Sequence, residues 1–148
     1  MLDRILASKK EEVANMIVPP KAETVKRSSF VNALKNPNHS LALIAEIKRA
    51  SPSKGVINDK IDPIEVALSY EKAGADAISV LTDTPFFKGT IEDLKKVKQS
   101  ASIPILRKDF IIDKRQIDES AAIGADAILL IVKALGPEKT YNFYQYAT

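Results

Sequence analysis

An α/β fold of the (β/α)8, or TIM-barrel, type is predicted by two features of the sequence. Short apolar runs alternate with helix-like segments from residue 41 onward, the rhythm of parallel βαβ units. The motif Gly-Ala-Asp-Ala-Ile occurs at 74–78 and again at 124–128, each time between a helix and a strand. A duplicated two-unit block favours a barrel over a doubly wound sheet. The 148 residues hold about four such units, so the expected organisation is a helical extension over 1–40 and the first half of a barrel over 41–148.

Each element has its own local reason. Leu2, Ile5, Leu6, Val13 and Met16 or Ile17 recur at helical spacing, predicting a helix over 2–17 that stops before Pro19 and Pro20, with the Lys-Lys-Glu-Glu run as a solvated face. A short helix over 29–34 is expected, with Ser28 or Ser29 as cap and Asn36-Pro37-Asn38 as stop. Strands are expected over 41–48, 77–81, 103–108 and 127–132, and helices over 63–72, 91–99, 115–123 and from Pro137. Asp62 is placed to cap the first of these helices with Pro63 in its first turn, and Gly74 to end it.

Composition excludes several classes. The longest apolar stretch, 125–132, is interrupted by Asp126 and falls far short of a membrane span. The amino-terminal residues lack the continuous apolar segment of a secretory signal, which indicates no export and favours the cytoplasm. Cysteine is absent and His39 is the single histidine, so thiolate and histidine metal centres are not expected. The net charge of +3 comes from interspersed acids and bases without a basic tract, which argues against nucleic acid and leaves room for a local anion site.

Strand alternation places the chemistry. Ala42, Ile44, Glu46 and Lys48 share one face of the first strand, and Leu41, Leu43, Ala45 and Ile47 share the other, which suits helices. Glu46 and Lys48 then point into the barrel near the carboxyl end of the strand, where barrel enzymes keep their catalytic groups. On the third strand Pro104, Leu106, Lys108 and Phe110 fall on the same inward face, so Lys108 enters the mouth that Lys48 enters. Aligning the two repeats sets Leu129 against Ser79, and an inward Leu129 gives the pocket an apolar wall. An inward lysine needs an acid, a ligand anion or a lowered pKa, because an unpaired buried charge costs several kcal/mol; a poised one can act as a general acid. The blander readings are an interior Glu46–Lys48 ion pair, a Lys108 ammonium that reaches solvent, an ordinary turn at Ser51-Pro52-Ser53-Lys54-Gly55, and phenylalanines 86 and 87 that cap the core. Asp109, on the outer face, reads as a helix cap or salt-bridge partner.

Three ordered segments carry a resemblance: IAEIKRASPSKG at 44–55, SVLTDTPFFKG at 79–89, and IPILRKDFIID at 103–113 followed by Gln116-Ile117, with GADAILLIVK at 124–133. They are similar to the indole-3-glycerol phosphate synthase family. The resemblance implies a lyase of tryptophan biosynthesis that closes the indole ring of 1-(2-carboxyphenylamino)-1-deoxyribulose 5-phosphate with loss of carbon dioxide and water, using neither cofactor nor metal. It implies Lys108 as general acid at the substrate carbonyl, Glu46 as the acid that positions the lysines, and Lys48 as binder of substrate anions. Ser51 and Pro52 would line the mouth, and Phe87, Phe110 and Leu129 would hold the aromatic ring. Since such a barrel has about 250 residues, this sequence corresponds to its amino-terminal half, with a second catalytic glutamate and a phosphate cradle expected beyond it. A half barrel exposes its inner face and both sheet edges, so self-association or pairing with the other half is expected, and a non-catalytic, anion-binding half barrel is the alternative reading. A different phosphate-binding barrel, such as the isomerase one step earlier, has no need of two inward lysines.

Overall fold

The structure is a computed structural model, and residues 1–20 and 25–148 are described. Its centre is a parallel sheet of β1 (Ile44–Ile47), β4 (Ala77–Leu81), β5 (Ile105–Lys108) and β6 (Ala127–Ile128), in that spatial order. A two-stranded antiparallel hairpin, β2 (Ala50–Ser51) and β3 (Gly55–Val56), follows β1 and folds the Ser-Pro-Ser-Lys segment into its turn. Crossover helices α3 (Pro63–Lys72), α5 (Ile91–Ser100) and α6 (Lys114–Ala122) join successive strands of the sheet, with a four-residue helix α4 (Thr84–Phe87) after β4. Helices α1 (Leu2–Ala14) and α2 (Phe30–Lys35) precede the sheet, and α7 (Val132–Leu135) and α8 (Pro137–Ala147) follow it.

One face of the sheet is dry. Ile47, Ile78, Val80 and Ile105 point outward and pack with Ala67, Leu94, Val97, Ile123 and Ala125 into the main core. Local chemistry sets the helix ends as the sequence dictates. Ser29 accepts from the Asn32 amide, Asp62 accepts from the Ile64 amide with Pro63 opening α3, and Thr90 and Asp113 build capping boxes. Gly74 and Gly124 end α3 and α6, both with φ of 92°, the left-handed region where a side chain is strained.

The repeated aspartate of the Gly-Ala-Asp-Ala-Ile motif does the same thing twice. Asp76 accepts from the Leu43 amide at 2.8 Å and the Asn38 amide at 2.7 Å, while its own amide donates to the Leu43 carbonyl. Asp126 accepts from Ile105 N at 2.9 Å and Ser28 N at 2.6 Å, while its amide donates to the Ile105 carbonyl. Each aspartate thus joins its own strand to the preceding one and also holds the segment that leads from α1 to the sheet. Lys98 adds an ion pair to Asp126 at 2.7 Å.

The structure departs from the sequence reading in four places. The first strand begins at Ile44, not at residue 41: Leu41 is 81% exposed and Leu43 48%, and the amide and carbonyl of Leu43 bond Asp76. The third strand starts at Ile105, after Pro104, which has no amide to donate. Strand β6 keeps only two residues of the expected six, since it pairs with β5 alone and the chain turns into α7 at Val132. Helix α1 ends at Ala14, short of residue 17, and its Lys9 is buried, although the Lys-Lys-Glu-Glu run read as a solvated face. Lys9 lies on the stripe Ile5, Lys9, Val13, one turn apart from each neighbour.

Candidate active site

Register brings the predicted groups to one end of the sheet. Glu46 stands opposite Ser79, Ser79 opposite Leu106, and Leu106 opposite Ala127, which makes one inward row. In the row above, Leu81 stands opposite Lys108, and the same register carried one residue further sets Lys48 on one side and Leu129 on the other. Both lysines therefore rise from the carboxyl ends of their strands, on the face away from the helices.

Glu46 sits between them. Its two oxygens take separate partners: Lys108 Nζ donates to Oε2 at 2.5 Å, and Lys48 Nζ lies 3.0 Å from Oε1. Partial burial would raise the Glu46 carboxyl, but the hydrogen bonds and charges of Lys108 and Lys48 outweigh it and hold it below the ordinary carboxylate range. All three side chains remain about a quarter to two-fifths exposed, so the triad is open to a ligand. One carboxylate facing two ammonium groups leaves a net positive charge, the requirement for an anionic substrate.

An apolar wall stands beside the triad. The rings of Phe87, in α4, and Phe110, after β5, lie 6.1 Å apart and tilted by 35°. Lys48, Ser51, Pro52, Ser53, Lys54, Ile57 and Phe87 line a cleft of about 580 Å³, and Met1 and Ile5 of α1 close one side of it. Ser51 is buried, and its hydroxyl accepts from the Lys54 amide at 3.2 Å, so it shapes the hairpin turn as well as the cleft. Leu129 is half-buried beyond the paired part of β6 and does not line this cleft. A smaller cleft of about 310 Å³ lies between α6 and α8, lined by Ile117, Leu130 and Tyr144; its carboxylate, Asp126, is already held by Lys98 and two amides.

Three features went unnoticed in the sequence. Ser79 is 3% exposed, and its hydroxyl has no hydrogen-bond partner among the described residues, on the row that carries Glu46. Arg49 forks onto Asp93, the capping-box residue of α5, and fixes the loop that follows β1. Behind Lys108, Arg107 is 1% exposed and bonds Glu119 at 2.8 Å, Asp109 at 3.2 Å, Ser120 and Thr82. Asp109 is a buried salt-bridge partner, and the cap of α6 is Asp113. Arg107 lies next to Lys108 in β5 and so turns to the opposite face, where Glu119 and Ser120 of α6 meet it. Among the described residues no group of acidic or histidine side chains is arranged to hold a metal ion, and no helix is long and apolar enough to cross a membrane.

The family profile for indole-3-glycerol phosphate synthase matches residues 2–148. The indole-3-glycerol phosphate synthases of Geobacillus thermodenitrificans and Priestia megaterium are each 54% identical to this chain over 147 residues. That of Halalkalibacterium halodurans is also 54% identical over 147 residues. In each case the match covers 99% of this chain and 57% of the relative, so the chain spans little more than half the length of these proteins. By the match of the family profile over residues 2–148, the chain belongs to the indole-3-glycerol phosphate synthase family.

Proposed function

We propose that this chain supplies the general-acid side of an indole-3-glycerol phosphate synthase site. The reaction converts 1-(2-carboxyphenylamino)-1-deoxyribulose 5-phosphate to indole-3-glycerol phosphate, with release of carbon dioxide and water. The observation that carries the reading is the convergence of Lys108 and Lys48 on Glu46 beside the Phe87–Phe110 pair. The ring carbon bearing the carboxylate attacks the ketone, a carbon–carbon bond forms, and the ketone oxygen takes a proton from Lys108. Glu46 holds the ammonium in place for that transfer, and Lys48 neutralises a substrate anion. Phe87, Phe110 and Leu129 would seat the aromatic ring, and Ser51 and Pro52 would border the mouth. Loss of carbon dioxide and then water completes the indole.

The later steps would draw on further groups. In the longer relatives they would come from the rest of the barrel, so formation of the finished indole by this chain alone should be weak or absent. Adding a complementary carboxyl-terminal half should raise it, and Lys108→Ala should then remove it while leaving the circular dichroism spectrum unchanged. Undiminished turnover in Lys108→Ala would exclude it as the acid.

A second reading, a half barrel that binds anions or a second copy of itself without turnover, is favoured by one observation. Strands β1 and β6 each have one unpaired edge, and Ile44 on the inner face is 41% exposed. Sedimentation separates the cases: association of the chain alone that disappears on adding the carboxyl-terminal half supports complementation, and a persistent monomer in both samples counts against either pairing.

A further inference from the structure

Lys9 is a charged residue where a helix stripe should be apolar. Its ammonium is 1% exposed and lies 2.9 Å from Asp83 Oδ1, 2.9 Å from Asp109 Oδ1 and 2.7 Å from Glu12 Oε2. The two aspartates come from different strand ends. Asp83 follows β4 and caps α4, its other oxygen accepting from the Phe86 amide at 3.0 Å. Asp109 follows β5, and the oxygen that faces Lys9 also accepts from the Phe110 amide at 2.7 Å. So each aspartate that Lys9 holds also holds the backbone of one of the two facing phenylalanines, or of its immediate neighbour.

We propose that Lys9 is a positioning residue for the site: its ammonium locks together the two loops that carry Phe87 and Phe110, so that α1 sets the spacing of the aromatic wall. The proposal rests on the reading of the site given above. Charge makes the lock specific. Without Lys9, Asp83 and Asp109 would be two carboxylates buried side by side, with Arg107 alone left near them and already shared with Glu119. One of the two would take up a proton or turn toward water, and its loop would follow. Burial opposes the charge on Lys9, but Asp109 and the hydrogen bonds to Glu12, Asp83 and Asp109 outweigh it and raise its pKa, so the lock stays charged. Met1 and Ile5, on the same helix, line the cleft at Phe87, which brings the helix and the aromatic wall to one surface.

The test compares Lys9→Met, Lys9→Arg and Asp83→Asn in the full chain, joined by the carboxyl-terminal half for kinetics. In Lys9→Met, amide exchange at Phe86, Phe87 and Phe110 should speed up about tenfold or more while Leu94 and Val97 stay within about twofold. KM should rise about tenfold with kcat within about threefold, and Lys9→Arg should recover most of the loss. Unchanged loop exchange, exchange that rises equally in the core, or a loss confined to kcat would overturn the proposal. If Lys9→Met does not fold, Asp83→Asn decides: it keeps a capping oxygen but removes one charge, and should loosen Phe86 and Phe87 while sparing Phe110. Equal loosening of all three, or none, overturns the lock. Absence of ring closure in the unaltered, completed protein would sink the functional reading, while the exchange data would still judge Lys9.

Discussion

Replacing Asp126 by Ala should destabilise the chain far more than replacing Asp76 by Ala, although the two occupy the same place in a repeated motif. The carboxylate of Asp126 is fully buried and accepts from the amide of Ile105, itself 0% exposed, and from that of half-buried Ser28. Loss of the carboxylate leaves both amides without a partner, and at about 1–3 kcal/mol per buried unsatisfied group the total is about 3–4 kcal/mol. Lys98 adds little, about 0–1 kcal/mol, because its ammonium is near enough to the surface to find water. Asp76 is itself 3% exposed, but Asn38 and Leu43, whose amides it serves, are exposed residues, so water replaces it and the loss is about 1 kcal/mol. A domain of this size has about 5–15 kcal/mol in total, so Asp126→Ala removes a substantial part of it. Urea unfolding followed by circular dichroism gives both numbers, with the m-value showing that the denatured state is unchanged. Equal losses in the two variants, or a loss below about 1 kcal/mol for Asp126→Ala, would refute the claim that burial of the amide decides the magnitude.

Glu46→Gln should lower kcat by about 10- to 100-fold in the completed enzyme, since the amide no longer anchors two ammonium groups; a change in KM alone would assign Glu46 to binding. Phe87→Ala should raise KM about tenfold with little change in kcat, through loss of uniform binding to the aromatic ring. Acid should destabilise the chain in a defined window. Asp76, Asp109 and Glu46 all have carboxyls held below their ordinary range, so the stability they contribute is complete above the unfolded values of about 4 and disappears as the pH falls through their lower folded values. Unfolding free energy measured from pH 7 to pH 2 should be flat above about pH 5 and fall below about pH 4, and the fall should be shallower in Glu46→Gln. Lys9 has the opposite sign: its raised pKa gives stability that is complete below about 10.4 and is lost only as the pH rises through a still higher folded value, so no loss from Lys9 is expected near pH 9.

The sequence displayed its site more openly than its scaffolding. Alternation alone placed Glu46, Lys48 and Lys108 on one face, because a period of two is rigid and the strand ends carry charge where the middle does not. Asp62-Pro63, Ser29, Gly74 and Gly124 were legible because capping is a local interaction. Lys9 was hidden for the opposite reason: a run of charges looks solvated, and only the acids of two distant strand ends make its place on the Ile5–Val13 stripe tolerable. Arg107 was obscured in the same way. The start of β1 was misjudged because Leu41 and Leu43 continue the apolar alternation, while the aspartate that takes over the backbone there lies 33 residues further on. Helix α4 left a signal in Asp83-Thr84-Pro85, a capping residue followed by proline in the first turn, which reads as loop when its neighbours are not counted.

The paired aspartates have a geometric consequence for the barrel. In one copy Asp76 precedes Ala77, which stands opposite Ile44, and the carboxylate takes the amide just before Ile44; in the other Asp126 precedes Ala127, opposite Leu106, and takes the amide just before Leu106. The offset is the same, so the motif works as a gauge that sets the stagger between neighbouring strands. Slipping either pair by one residue would strand a carboxylate and turn the inward row outward. Since the sum of staggers around a closed sheet fixes its shear, and shear with strand number fixes its radius, two aspartates at the base of the strands help set how wide the mouth above them opens.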